Sequence, residues 1–235
     1  MIWRWSIGNG IRWSEAAKSP AYTNDFEERK RSNFGLPEAS VLENNIGYLK
    51  ITKFTSPEMA GPVMMASSIF LKHVDGLILD LRSRGGGNSY TLELLLSYFL
   101  SPKTLLCTWH FRGSQAIEQS WTLPNVEGHR FVEVPIIVLT SKQTFSASEA
   151  FCYAMKVHKR ATVVGETTAG GAHTYREMKV SDHYIMTVPY GRPVFTTTNT
   201  NWEAVGVIPD YEVKAENALK KAQELLGERV NKRNK

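Results

Sequence analysis

Three short apolar runs, each closed by a turn rich in Gly, Ser or Thr, constrain the fold of this chain more than any other feature. Residues 76–81 read G-L-I-L-D-L, residues 134–139 read V-P-I-I-V-L and residues 161–164 read A-T-V-V. Runs this short and this apolar suit strands buried on both faces, and such strands belong to parallel sheets covered by helices. Helical patterns lie between them. Residues 91–100 return to helical apolar spacing, and Ala147, Ala150, Phe151, Ala154, Met155 and His158 recur at i, i+3, i+4 and i+7, the signature of a helix with one buried face. Strand and helix in alternation predict an α/β fold with a mainly parallel sheet and packed helices.

Sheets of this kind take ligands beyond the carboxyl ends of their strands. The turns at residues 83–88, 141–146 and 165–173 are therefore expected to face one crevice. Ser146 stands where the second run gives way to a helix, so free backbone N–H groups and the positive end of the helix dipole favour a developing negative charge beside it. The same residue, with Glu149 three positions on, also fits a capping box in which the hydroxyl only satisfies an amide. Gly85, Gly86 and Gly87 match neither the P-loop nor the dinucleotide spacing. Glycines suit a turn whose amides approach a ligand closely, as in an oxyanion hole, and suit a plain tight turn equally well. His173 on the third turn is the residue type of a base near neutral pH, or a surface histidine. The six histidines form no H-E-x-x-H cluster, so neither a metal nor another cofactor is expected. Trp109, Phe111 and Trp121, with Tyr90 and Tyr98, either line an apolar pocket or fill a core.

The remaining segments set the organisation. At 235 residues and 42% hydrophobic content the chain can bury a sizeable core, assigned to residues 41–229. Residues 1–40 form a separate N-terminal segment with Trp3, Trp5 and Trp13 in an alternating stretch, read as the remnant of a cap domain, and residues 230–235 a basic tail. Residues 46–54 read as a strand. A helical region opens at Ser56-Pro57, its main helix delayed by Pro62. Residues 105–112 and 116–123 read as exposed strands, 178–188 as a further strand ending in a turn at 189–193, and 215–226 as a final helix stopped by Gly227. The 28 basic residues exceed the 23 acidic by five, much of that excess lies in the tail, and no nucleic-acid partner follows. Cys107 and Cys152 lack metal-ligand spacing and read as free or buried thiols, with a single disulfide as the other reading. No apolar stretch approaches the roughly 18 residues of a membrane span, and the start lacks the apolar core of a signal peptide.

Five segments carry a family resemblance: I-G-Y-L-K-I (46–51), L-I-L-D-L-R-S-R-G-G-G-N (77–88), V-L-T-S-K-Q-T-F-S-A-S-E-A-F (138–151), V-V-G-E-T-T-A-G-G-A-H (163–173) and N-W-E-A-V-G-V-I-P-D (201–210). In this order, over residues 33–213, they resemble the tail-specific, C-terminal-processing serine peptidase family, and within it the branch related to the interphotoreceptor retinoid-binding protein repeats. The resemblance implies a crotonase/ClpP-like core, Ser146 as nucleophile, and oxyanion N–H groups at Gly86 or Gly87 and at Ala147. The processing peptidases carry a lysine base 25 positions after the serine, where this chain has Gly171. Tricorn-type relatives use a histidine from an N-terminal segment with a later glutamate, and Glu203 resembles that acidic position. No histidine precedes His73, and the usual PDZ module is absent. The family implies an extracytoplasmic location. The expected function is a serine hydrolase, a peptidase acting on peptide or protein; the alternative is a non-enzymatic binder of a long apolar, retinoid-like ligand through Trp109, Phe111 and Trp121. The oligomeric state is not legible.

Overall fold

The three apolar runs become the centre of a six-stranded sheet in the computed structural model of the chain, which describes residues 12–15, 22–83 and 85–233. In chain order the elements are β1 (Arg12–Glu15), α1 (Tyr22–Arg31), β2 (Glu38–Leu42), β3 (Ile46–Lys50), α2 (Pro57–Phe70), β4 (Gly76–Asp80), α3 (Ser89–Ser97), β5 (Leu105–Phe111), β6 (Ile117–Trp121), β7 (Ile136–Thr140), α4 (Ala147–Val157), β8 (Ala161–Gly165), β9 (Thr174–Lys179), β10 (Tyr184–Val194), β11 (Tyr211–Glu212) and α5 (Ala218–Arg233). The main sheet runs β11-β8-β7-β4-β3-β2. All its pairings are parallel except β2 on β3.

Burial follows the two-residue period of the strands. Every residue of β4 and of β7 is buried. Leu77, Leu79 and Val138 join a core with Met64 of α2, Leu95 of α3 and Phe151 of α4. Ile78, Ile137 and Leu139 instead meet Ala218, Ala222 and Leu226 of α5. Helices on both faces explain why these strands read as continuous apolar runs. Among the described residues no helix is long and apolar enough to cross a membrane.

A second, antiparallel sheet, β1-β10-β5-β6 with β9 also on β10, stands beside the first. Trp13 lies on β1; Trp3 and Trp5 fall outside the described residues. Three expectations are corrected. The single strand at 178–188 is the junction of a hairpin: β9 ends at Lys179, the turn falls at residues 180–183, and β10 continues through Pro189 and Pro193 to Val194. Ser181 and Asp182 carried the turn chemistry, and the register shift between Pro189 and Gly191 absorbs the first proline. The last helix does not stop at Gly227. It runs on to Arg233 because Leu226 and Val230 keep one face buried, while a Cβ at Gly227 would meet nothing within 4 Å. Nor does Pro62 delay α2, which begins at Pro57 and carries Pro62 within it at the cost of one backbone hydrogen bond.

The carboxyl end of β4 is pinned by a buried ion pair. Asp80 accepts from Tyr48 Oη at 2.7 Å, Arg82 Nε at 2.9 Å and Arg82 Nη2 at 2.6 Å, while Arg82 Nη1 donates to the Ala215 carbonyl at 2.8 Å. Burial opposes the ionisation of Asp80, but the hydrogen bonds from Arg82 and Tyr48 outweigh it and hold the carboxyl below its ordinary value of 3.8. A depressed carboxyl stabilises the fold above the unfolded value, and the contribution is lost as pH falls through the folded one. Arg82→Ala strands this carboxylate, so urea unfolding at neutral pH should show a loss of about 3–5 kcal/mol that shrinks in acid. A loss independent of pH would contradict the assignment.

Candidate active site

Ser146 lies at the N-cap of α4 with φ 55° and ψ −121°. This positive-φ backbone costs a non-glycine residue on the order of 1–3 kcal/mol and persists only where the surroundings over-determine it. A sharp, strained strand-to-helix turn is also the way a catalytic serine is lifted clear of its sheet. Ser146 is half-buried, and a Cβ built on Gly86 would lie 3.3 Å from its Cβ and 3.6 Å from its Oγ. The first turn therefore reaches the serine. Gly87, at φ 138°, packs so closely on the Phe54 carbonyl that a side chain there would collide with it. Among the described residues the amides of Gly86, Gly87 and Ala147 have no hydrogen-bond acceptor. These are the amides that the sequence marks as candidate oxyanion donors.

The Ser146 backbone is held by Glu149. Its carboxylate, fully buried, accepts the Ser146 amide at 2.8 Å and the Gly171 amide at 2.9 Å through Oε2, and the Gly170 amide and the Thr168 hydroxyl at 2.6 Å each through Oε1. Four donors and the N-terminus of α4 thus satisfy this buried carboxylate. The third turn is thereby fastened to the serine. Ser141 Oγ donates to the Arg82 carbonyl at 2.6 Å and Thr144 Oγ1 to the Leu81 carbonyl at 2.8 Å, which ties the second turn to the first. The three turns meet in one place, as the strand pattern predicts.

His173 closes the third turn. Its Nδ1 is 3.5 Å from Glu203 Oε1, and the amides of Ala172 and His173 donate to Glu203 Oε2 at 2.7 and 3.1 Å. Burial lowers the imidazole below its ordinary 6.5; Glu203 opposes that shift and Arg192 reinforces it. Gly171 lies against the residue before Ser146: a Cβ there would run into the ring of Phe145.

The aromatic set sits on the second sheet. Trp109 and Phe111 stack at 6.2 Å, Phe111 and Tyr190 at 5.5 Å, and Arg176 lies 4.1 Å over the Tyr190 ring. Phe111 and Thr174 both crowd the position of a Cβ at Gly191, so this ladder adjoins the residue that follows His173. Trp121 is on β6, more than a third exposed, opposite Leu105. Tyr98 is buried and Tyr90 exposed. Cys107 and Cys152 are free and buried, and burial pushes the Cys107 thiol up to about 12 and raises that of Cys152 too, which leaves neither a nucleophile. Among the described residues no group of three or more His, Cys, Asp or Glu is placed to hold a metal ion.

The sequence marks Glu149 only as the fourth position of a capping box, and gives no sign that its carboxylate bridges two turns. The one available signal was that S-x-x-E stood at a strand-to-helix joint. Phe145 carries no signal at all, because its partner lies 26 positions away.

Comparison with known proteins agrees with this geometry. The sequence profile of peptidase family S41 matches residues 45–213. Among curated proteins, the chain is 28% identical over 178 residues to the chloroplastic carboxyl-terminal-processing peptidase 2 of Arabidopsis thaliana, covering 75% of this chain and 33% of that protein. It is 26% identical to the carboxyl-terminal-processing protease of Synechocystis, covering 76% of this chain and 41% of that one. The chain thus spans well under half of these relatives. Among solved structures, a putative S41 protease from Bacteroides fragilis superposes with a TM-score of 0.69 at 19% identity, over 82% of this chain and 58% of that one. The photosystem II D1 C-terminal processing protease gives 0.59 at 22% identity, over 93% and 53%. At these identities the superpositions establish the fold.

The Glu149 cluster yields a stability prediction. Glu149→Gln turns an amide NH₂ toward N–H and O–H donors, leaving at least one buried donor unmatched at about 1–3 kcal/mol each. Urea unfolding should register a loss of roughly 2–4 kcal/mol, and a loss well under 1 kcal/mol would mean that the four bonds are not made together.

Proposed function

Starting from the fact that the chain belongs to peptidase family S41, we propose that it is a serine peptidase that works without the lysine of the processing peptidases. Ser146 is the nucleophile, His173 the general base, Glu203 the group that orients the imidazole, and the amides of Gly86 or Gly87 and of Ala147 receive the oxyanion. The observation that carries this reading is the strained Ser146 backbone, held by a buried carboxylate at a helix N-terminus, with Gly86 against its side chain. Glu149 makes the capping-box bond to the Ser146 amide, but a cap alone is ordinarily met with an extended backbone and needs no positive φ.

In this reading the chemistry is acyl transfer through Ser146. His173 takes the Ser146 proton as Oγ attacks the scissile carbonyl. The tetrahedral oxyanion lies at the start of α4, where fixed amides and the helix dipole stabilise it. The imidazolium, steadied by Glu203, returns the proton to the leaving amine, and water then resolves the acyl-enzyme with the same base. Phe145 over Gly171 supports the view that a lysine is not merely missing but excluded. The ladder of Trp109, Phe111 and Tyr190 beside Thr174, with Trp121 further along the sheet, offers apolar surface to an extended peptide. Its rings lie against one another, which favours this use over enclosure of a long apolar ligand.

A fluorophosphonate probe tests the reading on the full chain. Wild type should label at Ser146 and Ser146→Ala should not; His173→Ala should label about 10²–10⁴-fold more slowly, the usual worth of a positioned base. Absence of labelling in folded wild type would refute the hydrolase assignment and favour the ligand binder. Because burial lowers the His173 imidazole, the base is neutral throughout the neutral range and is lost only on acidification. The labelling rate should stay level above the ordinary value of 6.5 and fall below it. Glu203→Gln removes the charge that opposes the shift, so that fall should move to lower pH. A fall centred above 6.5 would exclude His173 as the base.

A further inference from the structure

Ser148 presents a second serine hydroxyl to the same turn. It sits two residues beyond Ser146 in the first turn of α4, is fully buried, and its Oγ has no hydrogen-bond partner among the described residues. Buried hydroxyls are ordinarily bonded, so an idle one calls for an explanation. It is aimed at Gly85: a Cβ built on that glycine would run into the Ser148 Oγ. The peptide unit joining Gly85 to Gly86 is equally idle. Among the described residues neither the Gly85 carbonyl nor the Gly86 amide is hydrogen-bonded, although the next unit is fixed through the Gly86 carbonyl, which accepts the Phe54 amide at 2.9 Å.

We propose that Ser148 is a positioning residue for the oxyanion turn, donating its hydroxyl to the Gly85 carbonyl when Ser146 reacts. In a trans peptide the C=O and the N–H point in opposite directions from one rigid plane. A donor holding the Gly85 carbonyl on the Ser148 side therefore turns the Gly86 amide to the other side, which is that of Ser146. Glycine at both ends lets this one plane rotate without a steric penalty. The free protein leaves the hydroxyl, the carbonyl and the amide unmatched, and the oxyanion satisfies the amide while the hydroxyl satisfies the carbonyl. No covalent step is added, and no proton leaves Ser148.

The inference rests on Ser146 being the nucleophile, and the experiment separates the two. The full chain is compared as wild type, Ser148→Ala and Ser148→Cys, the last keeping the volume with a weak donor. Fluorophosphonate places an anionic oxygen in the oxyanion position, so its labelling rate at Ser146 reads the turn directly. Ser148→Ala should label about 10²-fold more slowly, the worth of one oxyanion donor, with Ser148→Cys between it and wild type. The thermal unfolding midpoint of Ser148→Ala should match or exceed that of wild type, since an unmatched buried hydroxyl has been removed. A residue that merely braced the fold would give the reverse, a lower midpoint and an unchanged rate. Equal labelling of wild type and Ser148→Ala overturns the inference while sparing the peptidase reading. A midpoint several degrees lower in Ser148→Ala overturns it too, because the hydroxyl is then bonded in the free protein. No labelling of wild type removes both.

Discussion

The Glu149 carboxylate is the interaction on which the rest of the site depends. It is a buried carboxylate with no ion-pair partner among the described residues, and its neighbours are two glycine amides, one threonine hydroxyl and the amide of Ser146. Taking a carboxylate out of water is costly unless every lone pair is met, so these donors are not free to drift. The second and third turns thus form one body around a single charge. The positive φ of Ser146 is affordable because its amide is a member of that body.

A second buried carboxylate, Asp80, lies at the end of the neighbouring strand and is stabilised in another way. Arg82 and Tyr48 surround it, and Arg82 reaches on to the Ala215 carbonyl at the approach to α5. The crevice therefore rests on two acids of different kinds. One is matched by fixed dipoles and locks the backbone of Ser146; the other is matched by a cation and locks the strand end from which the glycine turn departs. The third acid, Glu203, is more exposed and holds His173 and the amides of its turn.

The central strands and the convergence of their turns were legible because burial on both faces writes a continuous apolar run, as in residues 76–81 and 134–139. Ser146 was legible because that run ends at a helical pattern. The second sheet was less so. Residues of β9 and β10 alternate through the hairpin turn, and two-residue periodicity alone does not say where a strand reverses. The end of α5 was hidden because Gly227 faces open space and stops nothing. Contacts between turns, such as Glu149 with Gly170 and Gly171 or Phe145 with Gly171, leave no trace in local pattern; they join residues whose only common property is position in three dimensions. Trp109, Phe111 and Trp121 were legible as aromatic residues of two strands, but Tyr190, which stacks on Phe111, lay across a strand pairing that periodicity does not assign.

The contact of Phe145 with Gly171 also bears on how such a site changes over generations. The aromatic ring of Phe145 fills the space where a side chain at Gly171 would start. A side chain added at position 171 alone meets the ring, while shrinking the ring alone leaves a gap over a bare glycine. Neither substitution is a step uphill by itself, so the two positions behave as one inherited character. A lineage that carries this pair is expected to change the two positions together.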